Sequence, residues 1–343
     1  MNSRIYLLSV LIITLMFASC NKDDDETTSN PPRDRGEQQV IDNDSLVGYL
    51  QTHYYNSGFF VGNTNPRMND VIISELPTDS EGNYLPLPDP TNNTLLIDAV
   101  ESKTTVHAET EYEYYVLKIN QGGGADVPNF CDRIRVIYRG NTQDENMFDS
   151  TVIPVVLDLS SLVPGWSRVF PEFNTADNFI LNGDGTVEFT DAGVGVMFLP
   201  SGLGYFSTGA SSISPYSNLI FRFEFYQTEL NDHDNDNVPS YLEDLNNDLS
   251  LLNDDSDEDD FPDYVDVDDD GDGVLTRLED LEPDTDLETD ADGDGDPTND
   301  IGDGDPTNDD TDGDGIPNYL DEDDDCSKSD DENQNGIPDC IEN

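Results

Sequence analysis

Basic residues are scarce in this chain. Its 343 residues contain 14 lysines and arginines against 76 aspartates and glutamates, a formal net charge of -62 at pH 7. After Leu230 the only two basic residues are Arg277 and Lys328. Nucleic-acid binding depends on clustered basic side chains that displace counterions from phosphates, and the sequence has no such cluster. We therefore exclude nucleic acid as a partner and expect the acidic C-terminal region to bind cations.

Long apolar runs are also scarce. The run at the N-terminus, Ile5 to Phe17, follows Arg4 and is shorter than the roughly 20 apolar residues that span a bilayer. Its ending, Phe-Ala-Ser-Cys, resembles a bacterial lipobox. The resemblance implies a lipoprotein signal peptide over residues 1–20, acylation of Cys20 and a stable lipid anchor in the membrane. An ordinary secretory signal that ends in cysteine is the alternative.

The residues that follow Cys20 bear on location. Asn21 to Glu26 resembles the acidic surface-export signal of Bacteroidota lipoproteins. A solvated tether is the alternative, because short acidic runs are common. We predict an outer membrane lipoprotein that faces either the periplasm or the cell surface.

Cysteine is limited to four residues, so few covalent links are possible. Cys326 and Cys340 are close in sequence and could form a disulfide in an oxidising compartment. Cys131 precedes an apolar strand and is predicted to be a buried small hydrophobe, with a reactive thiol as the alternative.

Composition divides the chain after the signal peptide into four segments. They are a tether (21–40), an N-terminal extension of unknown role (41–110), a strand-rich domain (111–230) and an acidic repeat region (231–343). In the extension, Asp44 or Ser45 could cap a short helix with apolar residues at helical spacing. Prolines interrupt the remainder of the extension, and no chemistry is predicted there.

The domain at 111–230 contains clearly alternating strands. In CDRIRVIYRG, Ile134, Val136 and Tyr138 share one face and the arginines the other. The same alternation in LIFRFEF predicts a core face made of Leu219, Phe221, Phe223 and Phe225. Arg222 and Glu224 are then expected on the outside. The turn sequence at 182–185, Asn-Gly-Asp-Gly, predicts a hairpin.

The chain has a single tryptophan, Trp166, directly after a Pro-Gly pair in the segment VPGW. The segments VIYRG and MFDST precede it, and FLPSGLGYFSTGA and ISPYSNLIFRFEF follow it. Together the five resemble the FK506-binding-protein (FKBP) type of peptidyl-prolyl cis-trans isomerase over roughly residues 110–230. The resemblance implies an α+β fold, a curved antiparallel sheet around one short helix, with an apolar pocket floored by Trp166.

The resemblance also implies the residues of a prolyl site. The positions expected to be catalytic are Tyr138, Phe148, Asp149, Val163, Trp166, Tyr205 and Phe221. Leu162 and Ile213 are expected to bind substrate. Trp166, Phe148 and Phe221 would hold the proline ring, and the Tyr205 hydroxyl would donate to the substrate carbonyl. Asp149 would orient Tyr138 or accept a hydrogen bond at the pocket rim.

Such residues suit the chemistry of amide rotation. The barrier is about 18–20 kcal/mol because twisting the bond destroys its resonance, and X-Pro is the bond for which both isomers are populated. A twisted amide is less dipolar than a planar one, so a dry aromatic pocket favours the transition state. No cofactor is needed, and the expected partners are proline-containing polypeptides. A catalytically weak proline-binding chaperone, or a calcium-dependent surface or structural protein associated with gliding, is the alternative.

Three features depart from the family pattern. The family's Tyr-Gly pair at the pocket rim is Tyr205-Phe206 here. Pro171 falls where the short helix after Trp166 is expected, so this helix would have to start late. The segment 174–191 is inserted before the next strand.

The acidic region repeats the spacing of a calcium-binding loop. Carboxylates at alternating positions surround the ion, a glycine makes the turn, and a twelfth-position carboxylate closes the site. Four copies supply the predicted calcium ligands: Asp232, Asp234, Asp236, Glu243, Asp268, Asp270, Asp272, Glu279, Asp310, Asp312, Asp314, Asp321, Asp331, Asn333, Asn335 and Glu342. Two degenerate copies begin at Asp255 and Asp290.

Proline at the eighth position of most copies argues against EF-hands. It has no N–H, so it cannot join the backbone pairing that couples two hands. The region instead resembles thrombospondin type 3 repeats, which implies a chain ordered around calcium ions. A solvated acidic spacer is the alternative.

Overall fold

The computed structural model describes residues 31–281 and 306–329, together with Pro338 and Cys340. The predicted signal peptide, Cys20 and the calcium-loop copy with Asp331, Asn333, Asn335 and Glu342 lie outside these residues. Contacts divide the chain into two units, Met1–Arg33 and Asp34–Asn343. Within the described ranges, no helix is long and apolar enough to cross a membrane.

Antiparallel strands dominate the second unit, and helices are few, which fits the α+β class. The helices are α1 (Arg35–Thr52) and α2 (Pro164–Val169). The strands are β1 (His53–Tyr55), β2 (Ile73–Glu75), β3 (Thr94–Leu95), β4 (Glu101–His107), β5 (Thr110–Asn120), β6 (Arg133–Thr142), β7 (Met147–Ser150), β8 (Val155–Asp158), β9 (Asn178–Leu181), β10 (Val187–Thr190), β11 (Gly193–Leu199) and β12 (Leu219–Glu229). Seven of them form the main sheet in the order β4-β5-β11-β12-β6-β7, with β8 also paired to β6.

The inner face of this sheet carries the core around α2. The predicted inward residues of β12, from Leu219 to Phe225, are buried there, and so are Ile134 and Val136 of β6. The alternation predicted for these two strands is therefore confirmed. Strand β4 pairs with β5, so the sheet begins at Glu101, ten residues before the predicted start of the domain.

The outer face is buried as well, which the sequence did not predict. Glu224, expected outside, is 1% exposed, and it accepts hydrogen bonds from the Met68 amide at 3.1 Å and the Tyr226 hydroxyl at 3.0 Å. Its carboxylate also lies 3.2 Å from Arg67, while Arg222 donates to a backbone carbonyl of the same covering segment. The prediction was wrong because the N-terminal extension covers this face: Leu46, Leu50, Val71 and Leu96 pack on Leu117, Val196 and Phe198. The alternation of polar and apolar residues in one strand does not show whether a distant segment of the chain packs on its outer face.

Helix α1 begins earlier than predicted. Asp34 is its N-cap, and its Oδ1 accepts from the Glu37 amide at 2.9 Å. The predicted start at Asp44 or Ser45 was wrong, and residues 35–40 of the predicted tether are helical. The early turns lacked an apolar signal because their buried side chains are polar: Asp42 is 2% exposed and accepts from the amide and the hydroxyl of Ser201.

The inserted segment at 174–191 forms the hairpin β9–β10. The turn at 182–185 joins the two strands, with Gly185 donating to the Asn182 carbonyl at 3.0 Å. This confirms the predicted hairpin. Phe189 packs on Tyr226 with ring centroids 4.3 Å apart, so the hairpin is attached to the outer face of β12.

Candidate functional site

Helix α2 places Trp166 against the inner face of the sheet. Pro164 occupies the first turn, where its missing N–H costs nothing. A Cβ on Gly165 would lie 2.3 Å from Cδ1 of Leu199, so only glycine lets the helix approach β11 this closely. The helix ends at Val169, and Pro171 falls in a following 3-10 turn. The helix therefore contains Trp166 instead of starting after it, and Pro171 shortens the helix without distorting it.

A cavity of about 280 Å³ opens to solvent beside α2. Its lining residues are Tyr138, Phe148, Asp149, Leu157, Ser161, Leu162, Val163, Trp166, Tyr205 and Phe221. Eight of the nine residues predicted for the prolyl site are among them. Ile213 is instead buried in the core, at 7% exposure. Leu157 and Ser161 were missed; the alternation of β8 points Leu157 inward, but nothing in the sequence singles out Ser161.

Trp166 forms the floor of this cavity. The Tyr138 and Phe221 rings meet it edge-to-face, each with its centroid 5.2 Å from that of the indole. Phe170 stacks on it at 5.0 Å. These rings leave the indole 2% exposed, and that small exposed part borders the cavity. The arrangement fixes the indole in place while keeping it available to a guest.

One wall of the cavity is a hydrogen-bonded pair. The Tyr138 hydroxyl donates to Oδ2 of Asp149 at 2.5 Å. Burial, followed by the hydrogen bond to Asp149, raises the pKa of Tyr138. Tyr138 therefore remains a protonated donor at neutral pH, and the pair orients both side chains along the wall.

The rim of the cavity carries Tyr205, which is 36% exposed and is followed in the chain by Phe206. Phe206 has φ 42°, a left-handed conformation that favours glycine. Its ring packs edge-to-face on Tyr216 at 5.3 Å, and the guanidinium of Arg35 lies 4.2 Å above its centroid. These contacts offset the backbone strain, so Arg35 of α1 supports the residue next to Tyr205.

The cavity is suited to binding and desolvation, not to nucleophilic chemistry. Its volume is at the small end of ligand pockets and suits one or two residues of a peptide. Cys131, as predicted, is a buried residue, and burial raises the pKa of its thiol, so it is not an activated nucleophile.

Four segments of the acidic region fold into the same loop. They are loop A (232–243), loop B (255–266), loop C (268–279) and loop D (310–321). In each, the first-position carboxylate accepts from the amide at position six, and the fifth-position carboxylate accepts from the amide at position seven. The amide at position nine donates to the carbonyl that precedes the loop. The sequence repeat is therefore also a structural repeat.

The eighth position of these loops precedes a 3-10 turn in loops B, C and D. The turns are Asp263–Val265, Thr276–Leu278 and Asn318–Leu320. Pro262 and Pro317 cap two of them, in extended conformation. Residues eight to ten thus enter a turn and not the strand pairing of coupled EF-hands.

Carboxylate oxygens converge in each loop. Three groups, each with its oxygens within 4.8 Å of one another, are Asp255, Asp257 and Asp259; Asp268, Asp270 and Asp272; and Asp310, Asp312 and Asp314. The fourth group consists of Asp234, Asp236 and Glu243 of loop A with Asp269 of loop C. The predicted ligands Asp232, Glu279 and Asp321 lie outside these groups. Asp232 instead accepts from the amides of Asn235 and Asn237.

Several carboxylate oxygens of the loops, inside and outside these groups, are buried without a donor. Both carboxylate oxygens of Glu279 lack a hydrogen-bond partner among the described residues, although the side chain is fully buried. Burial, followed by the charges of the neighbouring aspartates, raises its pKa to about 9. Oxygen-only donor sets of this kind fit a hard divalent cation.

At the end of the region, Cys326 and Cys340 form a disulfide with their Cα atoms 5.8 Å apart.

The acidic region matches one known family. The profile described as BamM C-terminal matches residues 233–287.

Two solved structures are also similar to the chain. A peptidyl-prolyl cis-trans isomerase from Pseudomonas syringae pv. tomato has a TM-score of 0.29 and 20% identity, covering 38% of this chain and 81% of that one. FkpA from Escherichia coli has a TM-score of 0.30 and 21% identity, covering 38% of this chain and 52% of that one.

Two curated relatives are similar in sequence. The FKBP-type 22 kDa peptidyl-prolyl cis-trans isomerase of Escherichia coli K12 is 31% identical over 113 residues, which are 32% of this chain and 47% of the relative. The FKBP-type peptidyl-prolyl cis-trans isomerase FkpA of Aeromonas hydrophila is 29% identical over 133 residues, 38% of this chain and 42% of the relative. The chain spans less than half the length of either. Over about a third of its length, it is homologous to FKBP-type peptidyl-prolyl cis-trans isomerases at modest identity.

Proposed function

We propose that the strand-rich domain catalyses the cis-trans isomerisation of X-Pro bonds in polypeptides. The observation that carries the proposal is the aromatic cavity floored by Trp166, in a chain that is similar in sequence to FKBP-type isomerases. A proline ring placed on the indole would have Phe148 and Phe221 beside it. The amide before the proline would then lie near the rim at Tyr205.

The residues would act by binding the twisted amide better than the planar one. The cavity replaces water around the amide with aromatic surface, which disfavours the more dipolar planar form. A donor at the rim, Tyr205, would bind the substrate carbonyl. The Tyr138–Asp149 pair would hold the wall in a fixed shape, so little ordering is needed when the substrate binds.

The test is a protease-free isomerisation assay on the full chain with a short prolyl peptide. We expect the rate constant of cis-to-trans conversion to rise linearly with protein concentration. A peptide that quenches the fluorescence of Trp166 without any rate acceleration would refute the enzyme and support the proline-binding chaperone instead.

We further propose that the chain is anchored in the outer membrane through an acylated Cys20 and acts on envelope or secreted proteins. The lipobox-like ending of the signal segment supports this. A Cys20→Ser variant should be released from the membrane fraction. Proteolysis of intact cells would distinguish a surface-facing from a periplasm-facing protein.

We also propose that the acidic loops bind calcium in the manner of thrombospondin type 3 repeats. The converging carboxylates and the buried oxygens without donors support this, because unsatisfied buried oxygens are costly. Calorimetric titration of the full chain with Ca²⁺ should give several sites. No heat of binding at millimolar Ca²⁺ would refute the calcium proposal and leave an acidic spacer.

A further inference from the structure

The group of carboxylates at loop A differs from a self-contained calcium loop. Asp234, Asp236 and Glu243 come from positions three, five and twelve of loop A, as the spacing predicts. Asp269 comes from position two of loop C, a position that the loop template leaves free. All four offer an oxygen within 4.8 Å of the others. That is the largest separation of two oxygens that both lie about 2.4 Å from one ion, a usual distance to Ca²⁺.

Burial makes this group stand out from the exposed acidic residues of the chain. Asp236, Glu243 and Asp269 are at most 1% exposed. Both oxygens of Asp234, Glu243 and Asp269 and one of Asp236 have no hydrogen-bond partner in the described part of the chain. The group therefore contains seven buried oxygens without donors, and four of them converge on one point.

We propose that one Ca²⁺ binds between loops A and C through Asp234, Asp236, Glu243 and Asp269. This inference rests on the proposed calcium binding and specifies one site within it. Four carboxylates supply at least four of the six to eight oxygen ligands that Ca²⁺ takes. The positive charge of the ion compensates the buried carboxylates. The ion also links loops A and C, which are separated by loop B in the sequence.

The link has a consequence for the rest of the molecule. The ion joins the two ends of the segment 244–268, and part of this segment packs against the strand-rich domain. Leu251 and Tyr264 line a cavity of about 220 Å³ together with Arg168 of α2 and Leu162. Leu162 also lines the aromatic cavity. The cross-loop ion therefore holds the segment 244–268 on the wall of the candidate prolyl site.

The decisive variant is Asp269→Asn, with Glu258→Gln as its control. Asp269→Asn keeps the side-chain shape and removes one charge from the group. Glu258→Gln removes one charge from an exposed position of loop B outside every carboxylate group. Calcium titration of the full chain should show that Asp269→Asn loses one ion or weakens one site by at least about tenfold. Glu258→Gln should titrate like the unmodified protein.

Thermal unfolding supplies a second readout that a purely structural role would not produce. In a chelator, Asp269→Asn should raise the unfolding temperature by about 3 °C or more, since it replaces one of four carboxyl groups that are costly to bury together without a cation. In saturating Ca²⁺ the order should reverse. Unchanged calcium binding in Asp269→Asn, or a loss of stability under both conditions, would overturn the cross-loop site while leaving the calcium loops intact. Absence of calcium binding in the unmodified chain would overturn both.

Discussion

Replacing Trp166 with leucine tests whether the indole is the floor of a working site. The substitution removes the aromatic surface and leaves an apolar side chain on α2. Trp166 is nearly buried among Tyr138, Phe170 and Phe221, so some loss of stability is certain. The prediction concerns the ratio kcat/KM of the protein that remains folded.

The size of the effect follows from the area that a proline would bury. A proline ring contains three CH₂ groups, each worth about 0.8 kcal/mol on burial, for a total of about 2.4 kcal/mol. The floor covers one of the two ring faces, so about 1.2 kcal/mol depends on the indole. We expect kcat/KM to fall by about eightfold. The void left by the smaller side chain should lower the free energy of unfolding by about 2–3 kcal/mol, which a domain of ordinary stability survives.

Phe173→Leu is the matched control. Phe173 is fully buried in the same core and packs edge-to-face on Phe223 at 4.9 Å, but it does not line the cavity. It should lose comparable stability and keep its kcat/KM. Both variants are assayed for isomerisation of a prolyl peptide well below their unfolding temperatures. Equal activity in Trp166→Leu and Phe173→Leu would refute the role assigned to the indole.

Three further predictions concern the rim, the outer face and pH. Tyr205→Phe should lower kcat/KM by about fivefold, the value of one hydrogen bond of about 1 kcal/mol, with no change in unfolding temperature; full activity would remove Tyr205 from the mechanism. Glu224→Ala removes the acceptor of Arg67 and of buried donors, so it should lower the free energy of unfolding in urea by about 2–3 kcal/mol. The control is Glu229→Ala, because Glu229 is exposed on the same strand; it should change this free energy by less than about 0.5 kcal/mol. Burial, and then nearby arginine charges, lower the pKa of His107 to about 4. Between pH 6.5 and 4 the folded chain therefore binds fewer protons than the unfolded chain, and its free energy of unfolding should fall as the pH falls. His107→Gln should lose less stability over this range, and identical pH profiles of the two proteins would contradict the assignment.

The sequence predicted the features that depend on strand alternation and on the order of short motifs. Alternation identified the inward residues of β6 and β12, and the order of five segments brought together eight residues that line one cavity. It could not predict the buried outer face, because the alternation of β12 is the same whether solvent or another segment covers Arg222 and Glu224. It missed the start of α1 at Asp34 because the early buried positions of that helix are polar. Asp269 was missed because a loop template describes ligands within one loop only.

The boundaries of the candidate isomerase are wider than the predicted domain, 111–230. Its sheet includes β4, which lies before residue 110, and Phe206, the neighbour of the rim residue Tyr205, is packed under Arg35 of α1. On the other side, Leu162 separates the aromatic cavity from the one that Leu251 and Tyr264 line. A fragment limited to 111–230 would expose the edge of β5 and the apolar outer face that Leu46 and Leu50 cover. The candidate prolyl site is therefore shaped by the N-terminal extension and the acidic region together, and we expect the proposed activity to require the longer chain.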